Sequence, residues 1–301
     1  MGLKVKHLLL TAALLLATAV FAIEDVADFE NGNAVTPAEN EGTTTPEPTV
    51  NENENVKVVD ENEIGIDYRT HGKEWPSKHC IAGGLQSPIN IEMDQATPSN
   101  KLHFEIIEYH DIRNASLTVQ HNRTLIQIDN PNETPGDLNV TNELGESQIY
   151  HLEKMLWKIP SEHTLENRQM AAELQIFHQQ YATNKKVTLS FLFDTELVAQ
   201  ESDPRRLKTC FVDSFEFSSF KALTDAGRKP DVIEIPLREF IEFVPQEEVF
   251  YYYGSHTQPN CQETVAWFVN THAHVITPEQ VKEMKALLNE ELAPQGNYRN
   301  I

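Results

Sequence analysis

Positive charge is in short supply: 24 lysines and arginines stand against 46 aspartates and glutamates, for a net charge of −22 over 301 residues. Nucleic acid and anionic membrane surfaces are poor partners for such a chain. Cysteine is scarce as well. Cys80, Cys210 and Cys261 are too few for a disulfide scaffold, and the arithmetic allows one bridge, one spare thiol and three possible pairings. Past the first 22 residues no apolar run is long enough to cross a bilayer, so no membrane span is expected. No internal repeat is visible.

What the chain does contain divides it into three. Residues 1–22 read as a secretory signal peptide, with Lys4 and Lys6, an apolar core from Leu8 to Val20 and a small-residue cleavage site ending at Ala22. The protein is therefore expected outside the cell. Residues 23–64 hold twelve acidic residues, one lysine and a single aromatic, Phe29, and carry about half of the net charge. They lack the apolar surface that would offset chain entropy and read as a disordered acidic tail. Residues 65–301 have globular composition and no interrupting linker, which suits one β-rich domain.

Within that domain "LTVQHNRTLIQI", "KVTLSFLF" and "ETVAWFV" are β-branched and aromatic runs that predict strands. Residues 171–178, "AAELQIFH", alternate, with Leu174 and Ile176 on one face and Glu173, Gln175 and Phe177 on the other. Near the C-terminus Thr277, Pro278 and Gln280 form a capping-box signature for a helix that presents Val281, Met284 and Leu288 on one face. "FSSFKALTDAG" predicts a second helix ending at Gly227. Sequons at Asn114, Asn122, Asn132 and Asn139 crowd one short region and predict an exposed face carrying N-linked sugar.

Several stretches, in order, resemble the α-class carbonic anhydrases. "HGKEWPSKHCIAGGLQSPINIE" is similar to that family's N-terminal signature, "SEHT" at 161–164 and "AAEL" at 171–174 follow, and "YYYGSHTQPNC" resembles its Gly-Ser-x-Thr-x-Pro turn. Trp267 in "TVAWFV" completes the series, and the resemblance covers roughly residues 65–299. It implies a mostly β, α+β domain with a central, mostly antiparallel twisted sheet and short peripheral helices. It also implies that Cys80 pairs with Cys261. "NYRNI" resembles the start of the family's last strand.

In that family three histidines hold a zinc ion whose bound water has a lowered pKa, the standard example of such activation. Trp157 sets the register, and the matching positions here are Lys154, Leu156 and Gln175. A protonated amine repels a dication, an alkyl chain has no lone pair, and an amide oxygen is a weak ligand for zinc. No zinc and no other cofactor is therefore expected. The shuttle-histidine position falls at Thr124, and Phe177 narrows the wall of the substrate pocket. Glu162, Thr257 and Glu173 match groups that support the zinc site in active relatives, and read here as a buried polar network holding strands and turns together. The resemblance makes His163 structural. Strand parity turns His151 and His178 away from Leu156 and Gln175, and His272 and His274 read as an ordinary surface pair. Lys154 is expected to pair with Glu173 in the old cavity.

The reading is a secreted, catalytically inactive carbonic anhydrase-related protein, a binding or structural module for an extracellular protein or matrix partner. The alternative is a zinc-dependent carbonate dehydratase with a rebuilt metal site. An acidic matrix or storage protein rests on composition alone.

Overall fold

The computed structural model describes residues 20–22, 66–99, 102–121, 125–129, 136–142, 144–180, 183, 185–195, 210–228, 233–243 and 248–301. In chain order the elements are β1 (Val20–Ala22), α1 (Lys78–Ala82), β2 (Asn90–Ile91), β3 (Thr97–Ser99), β4 (His103–Tyr109), β5 (Ile112–Gln120), β6 (Leu125–Asp129), β7 (Gly136–Thr141), β8 (Ser147–Lys158), β9 (Thr164–Leu165), β10 (Arg168–Gln169), β11 (Ala172–Gln179), β12 (Lys186–Asp194), α2 (Cys210–Asp213), α3 (Phe217–Asp225), β13 (Ile233–Ile235), α4 (Leu237–Phe243), β14 (Val249–Gly254), β15 (Val265–Val275) and α5 (Pro278–Lys285). The three β-branched, aromatic runs form β5 with β6, β12 and β15, as their composition predicts.

The main sheet runs β13-β5-β6-β8-β11-β12-β15-β14-β1-β3, with β7 pairing both β8 and β4. Its pairings are antiparallel except β12 with β15 and β1 with β14. A small second sheet joins β10, β9 and β2. The expected mostly antiparallel sheet with few, short helices is thus what the chain forms. Val20–Ala22, the end of the expected leader, lies between β14 and β3 as a three-residue strand.

Both faces of the sheet centre are covered. One face packs Met155 and Trp157 of β8, Leu174 and Ile176 of β11, and Leu189, Phe191 and Phe193 of β12 into the main core. Phe211, Phe215, Phe217 and Phe240 of the helical region close it, and the Trp157 ring meets Phe193, Phe215 and Phe217 at 5.1–6.1 Å. The other face carries a smaller cluster with Leu156, Phe177, Leu192, Phe250, Tyr252, Trp267 and Val269. The polar-looking face of "AAELQIFH" is therefore interior as well, and residues 172–178 are all buried.

Helix α5 has its capping box: Thr277 Oγ1 accepts from Gln280 N at 3.1 Å, and Thr277 N donates to Gln280 Oε1 at 2.9 Å. Helix α3 is followed by Gly227 at φ +68°, a left-handed position suited to glycine. The C-terminal residues form no strand. Instead Asn297 is pinned to the end of β8, accepting from Ile159 N at 2.8 Å and donating to Trp157 O at 2.9 Å. Tyr298 stacks on His71 with ring centroids 4.1 Å apart.

Candidate functional site

The register of β8 against β11 builds the site. Gln175 lies directly opposite Leu156, Glu173 opposite Lys158 and Phe177 opposite Lys154, so all six side chains share one face of the sheet. The parity expected for Lys154, Leu156, Glu173 and Gln175 holds. Leu156 and Gln175 have no exposed surface, whereas Lys154 is half-buried with its ammonium 5.8 Å from the Phe177 ring centre. The His256 ring lies nearly parallel to that of Phe177, with centroids 6.4 Å apart. Burial first, and then the neighbouring Lys186 and Lys154, lower the His256 pKa to about 4.

Glu173 is the hub. Its carboxylate accepts from Glu162 N at 2.7 Å, His163 N at 2.9 Å, His163 Nδ1 at 2.8 Å, Gln175 Nε2 at 2.9 Å and Ser190 Oγ at 2.8 Å. Burial pushes its pKa up, but His163 and these donors outweigh that and bring it down to about 2. His163 Nε2 continues the chain to Tyr252 Oη at 2.7 Å, and Tyr252 reaches Ser87 at 2.9 Å. His163 is structural, as the resemblance implies.

Glu162 anchors the second half. It accepts from Lys158 Nζ at 2.8 Å and Arg299 N at 2.9 Å on one oxygen, and from Gln175 Nε2 at 2.9 Å on the other. Lys158 also donates to Tyr68 Oη at 3.1 Å. Desolvation opposes the charge on Lys158, yet Glu162 and Tyr68 overcome it and hold the pKa above the ordinary lysine value. The pairing of Lys154 with Glu173 expected from sequence is therefore not the one formed. The buried cation is Lys158, bound to Glu162, while Glu173 is bonded by His163 Nδ1. Extending the alternation of Lys154 and Leu156 by two residues places Lys158 on the same face, so the signal was present. Arg299 had no such signal, because it arrives from the far end of the chain.

Thr257 departs from the network expected for it: its hydroxyl is buried and has no hydrogen-bond partner. His272 and His274 are not a surface pair. Both are buried on β15; His272 Nδ1 bonds Glu248 at 3.0 Å, and His274 packs among Phe191, Phe193 and Phe240. His178 faces the main core and meets the Tyr109 hydroxyl, and burial lowers its pKa to about 3. His151 bonds Asp137 at 2.8 Å. Cys80 and Cys261 are joined, with Cα atoms 5.0 Å apart. Of the sequons, Asn114 is exposed on β5 and Asn139 is half-buried on β7, donating to Glu105 at 3.4 Å. Asn122, Thr124, Asn132 and the acidic tail lie outside the described residues, as does the Cys210 side chain.

An ammonium, an alkyl group and an amide whose nitrogen is committed to two carboxylates do not make a zinc donor set. Among the described residues no group of three histidine, cysteine or acidic side chains is placed to hold a metal ion.

The family model for eukaryotic-type carbonic anhydrases matches residues 70–301. "Alpha carbonic anhydrase 8" of Arabidopsis thaliana is 25% identical over 248 residues, covering 79% of this chain and 58% of the relative. The match thus spans less than two thirds of that relative's length. "Dioscorin DB3L" of Dioscorea polystachya is 26% identical, covering 72% of this chain and 71% of the relative. Among solved structures a halotolerant carbonic anhydrase from Dunaliella salina superposes with TM-score 0.63 at 20% identity, over 79% of this chain and 94% of that one. Dioscorin complexed with ascorbate does so with TM-score 0.58 at 19% identity, over 78% and 92%. At these identities the structural likeness establishes the fold.

Proposed function

The chain belongs to the eukaryotic-type carbonic anhydrase family, and from that premise we propose that it is a non-catalytic member, acting outside the cell as a binding or structural module. One observation carries the reading. At the positions matched to the zinc ligands, a fully buried leucine faces a fully buried glutamine whose amide nitrogen is bound to Glu162 and Glu173. Without imidazole donors there is no route to a metal-activated hydroxide at neutral pH. Phe177 and His256 add a second obstacle by stacking across the pocket wall.

Purified native protein should contain no stoichiometric zinc and should not accelerate carbon dioxide hydration. Lys154→His, Leu156→His and Gln175→His together should create tight zinc binding, since the three positions share a face and Glu173 stands ready to orient an imidazole at 175. Hydration should return only weakly, because Phe177 still crowds the wall. One equivalent of zinc in the native protein, with sulfonamide-sensitive hydration, would establish the rebuilt-site alternative instead. A folded triple variant that binds no zinc would place the ligand positions elsewhere.

The extracellular assignment rests on the leader-like residues 1–22 and the four sequons. Mass spectrometry of exported protein should find Ile23 as the first residue and N-linked sugar within residues 114–141. Unprocessed, unglycosylated chain confined to the cytosol would overturn this. The partner we assign is an extracellular protein or matrix component, engaged through the folded domain or the acidic tail.

A further inference from the structure

Counting hydrogens at Gln175 leaves one demand unmet. Its Nε2 has two hydrogens, and both are used, one by Glu162 Oε2 and one by Glu173 Oε1, each at 2.9 Å. Reversing the amide would set its oxygen against two carboxylates, so the orientation is chemically determined. Gln175 Oε1 is then a pure acceptor, fully buried and without a partner. Thr257 Oγ1, equally buried, is a second unpartnered atom.

Residues 256–258 cross this face. At one end His256 stacks on Phe177, two residues along β11 from Gln175. At the other end Gln258 interacts with the Tyr68 hydroxyl, which bonds Lys158, which bonds Glu162, which bonds Gln175. Thr257 stands between these two contacts in the chain. Orphaned polar groups in such a position cost free energy unless a small polar molecule joins them.

We infer that Gln175 Oε1 and Thr257 Oγ1 share a single buried water molecule, and that the site has been converted to one that accepts a neutral hydrogen-bond donor and rejects anions. Water satisfies both atoms: it donates to the Gln175 carbonyl and exchanges a second hydrogen bond with the hydroxyl. An anion brings no proton for Gln175 Oε1 and would approach Glu162 and Glu173 as well. Lys154, over the Phe177 ring, is the group that favours an anion, which makes the anion the informative probe. Gln175 Oε1 and Thr257 Oγ1 are both buried, which limits the occupant to a small donor. This inference rests on the non-metal reading of positions 154, 156 and 175.

The test is a crystal structure of the native protein grown with and without sodium azide, with data also collected at the zinc edge. An ordered water within about 3 Å of both Gln175 Oε1 and Thr257 Oγ1, unchanged by azide, is the expected result. Azide in that position, or no density there, overturns the inference while leaving the non-metal reading intact. Zinc anomalous signal there overturns both. Two variants supply an independent measurement. Thr257→Val preserves the volume but removes the hydroxyl, and should raise the unfolding equilibrium constant about tenfold; Thr257→Ser keeps the hydroxyl and should stay closer to wild type. A valine variant as stable as the serine variant overturns the inference.

Discussion

Lys158 has no exposed side-chain surface, and its charge is compatible with that burial because Glu162 Oε1 lies 2.8 Å away and Tyr68 Oη 3.1 Å away. The pair is a poor candidate for net stabilisation, since desolving two charges consumes most of what their attraction returns. Its disruption is another matter. Lys158→Met should leave Glu162 as an uncompensated buried carboxylate and cost about 3–5 kcal/mol, whereas adding Glu162→Leu should recover a substantial part of the loss. Urea denaturation of the two variants checks this, and a single variant as stable as the native protein would refute it. Lys158, rather than Lys154, is thus the cation that neutralises the buried acid Glu162.

At the scale of elements, β8 and β11 shape both faces of the sheet through one irregularity. Phe177 pairs with Lys154 but His178 pairs with Leu152, so Glu153 is an extra residue on β8. The bulge lets Leu152 and His178 both face the main core while Glu153 turns outward to Lys186. Burial there holds the His178 pKa near 3, against an ordinary value of 6.5. The folded state therefore resists protonation that the unfolded chain accepts. No penalty exists above about pH 6.5, and stability falls as pH drops from there toward 3. Between pH 7 and pH 4 this one group should remove about 3 kcal/mol. His178→Gln should show a shallower fall in urea stability over that range; an unchanged slope would show that other groups govern the acid response.

Taken whole, the molecule is closed by contacts between distant parts of the chain. The disulfide ties α1 to the turn after β14 across a separation of 181 residues. Arg299 adds to the same junction, donating to Ser87 O at 2.8 Å, Gln86 Oε1 at 2.9 Å and Cys80 O at 3.1 Å. On the chain-entropy model a loop of that size restricts the unfolded state by about 5 kcal/mol. Cys80→Ser with Cys261→Ser should lower denaturant stability by up to that amount. Non-reducing peptide mapping of the native protein should recover the Cys80–Cys261 pair, and Cys210 joined to either would contradict the fold described.

Much of this was legible in the residues. Alternation in "AAELQIFH" and the tryptophan after Leu156 were enough to put the side chains of two strands on one face, because side-chain parity is a local property of extended backbone. The capping box at Thr277 and the glycine stop at 227 were legible for the same reason: each is settled within a few residues. Histidines missing from three matched positions carried the chemical argument without any coordinates. Partner choice was not local. Parity offered Lys154 and Lys158 equally to Glu173 on β11, and only the tertiary structure set Lys158 opposite Glu173 and gave its ammonium to Glu162. Burial of His274 was likewise decided by the packing of Phe191, Phe193 and Phe240 around it. The junction at Arg299 depended on how residues more than 200 apart in sequence meet, and no local pattern encodes that.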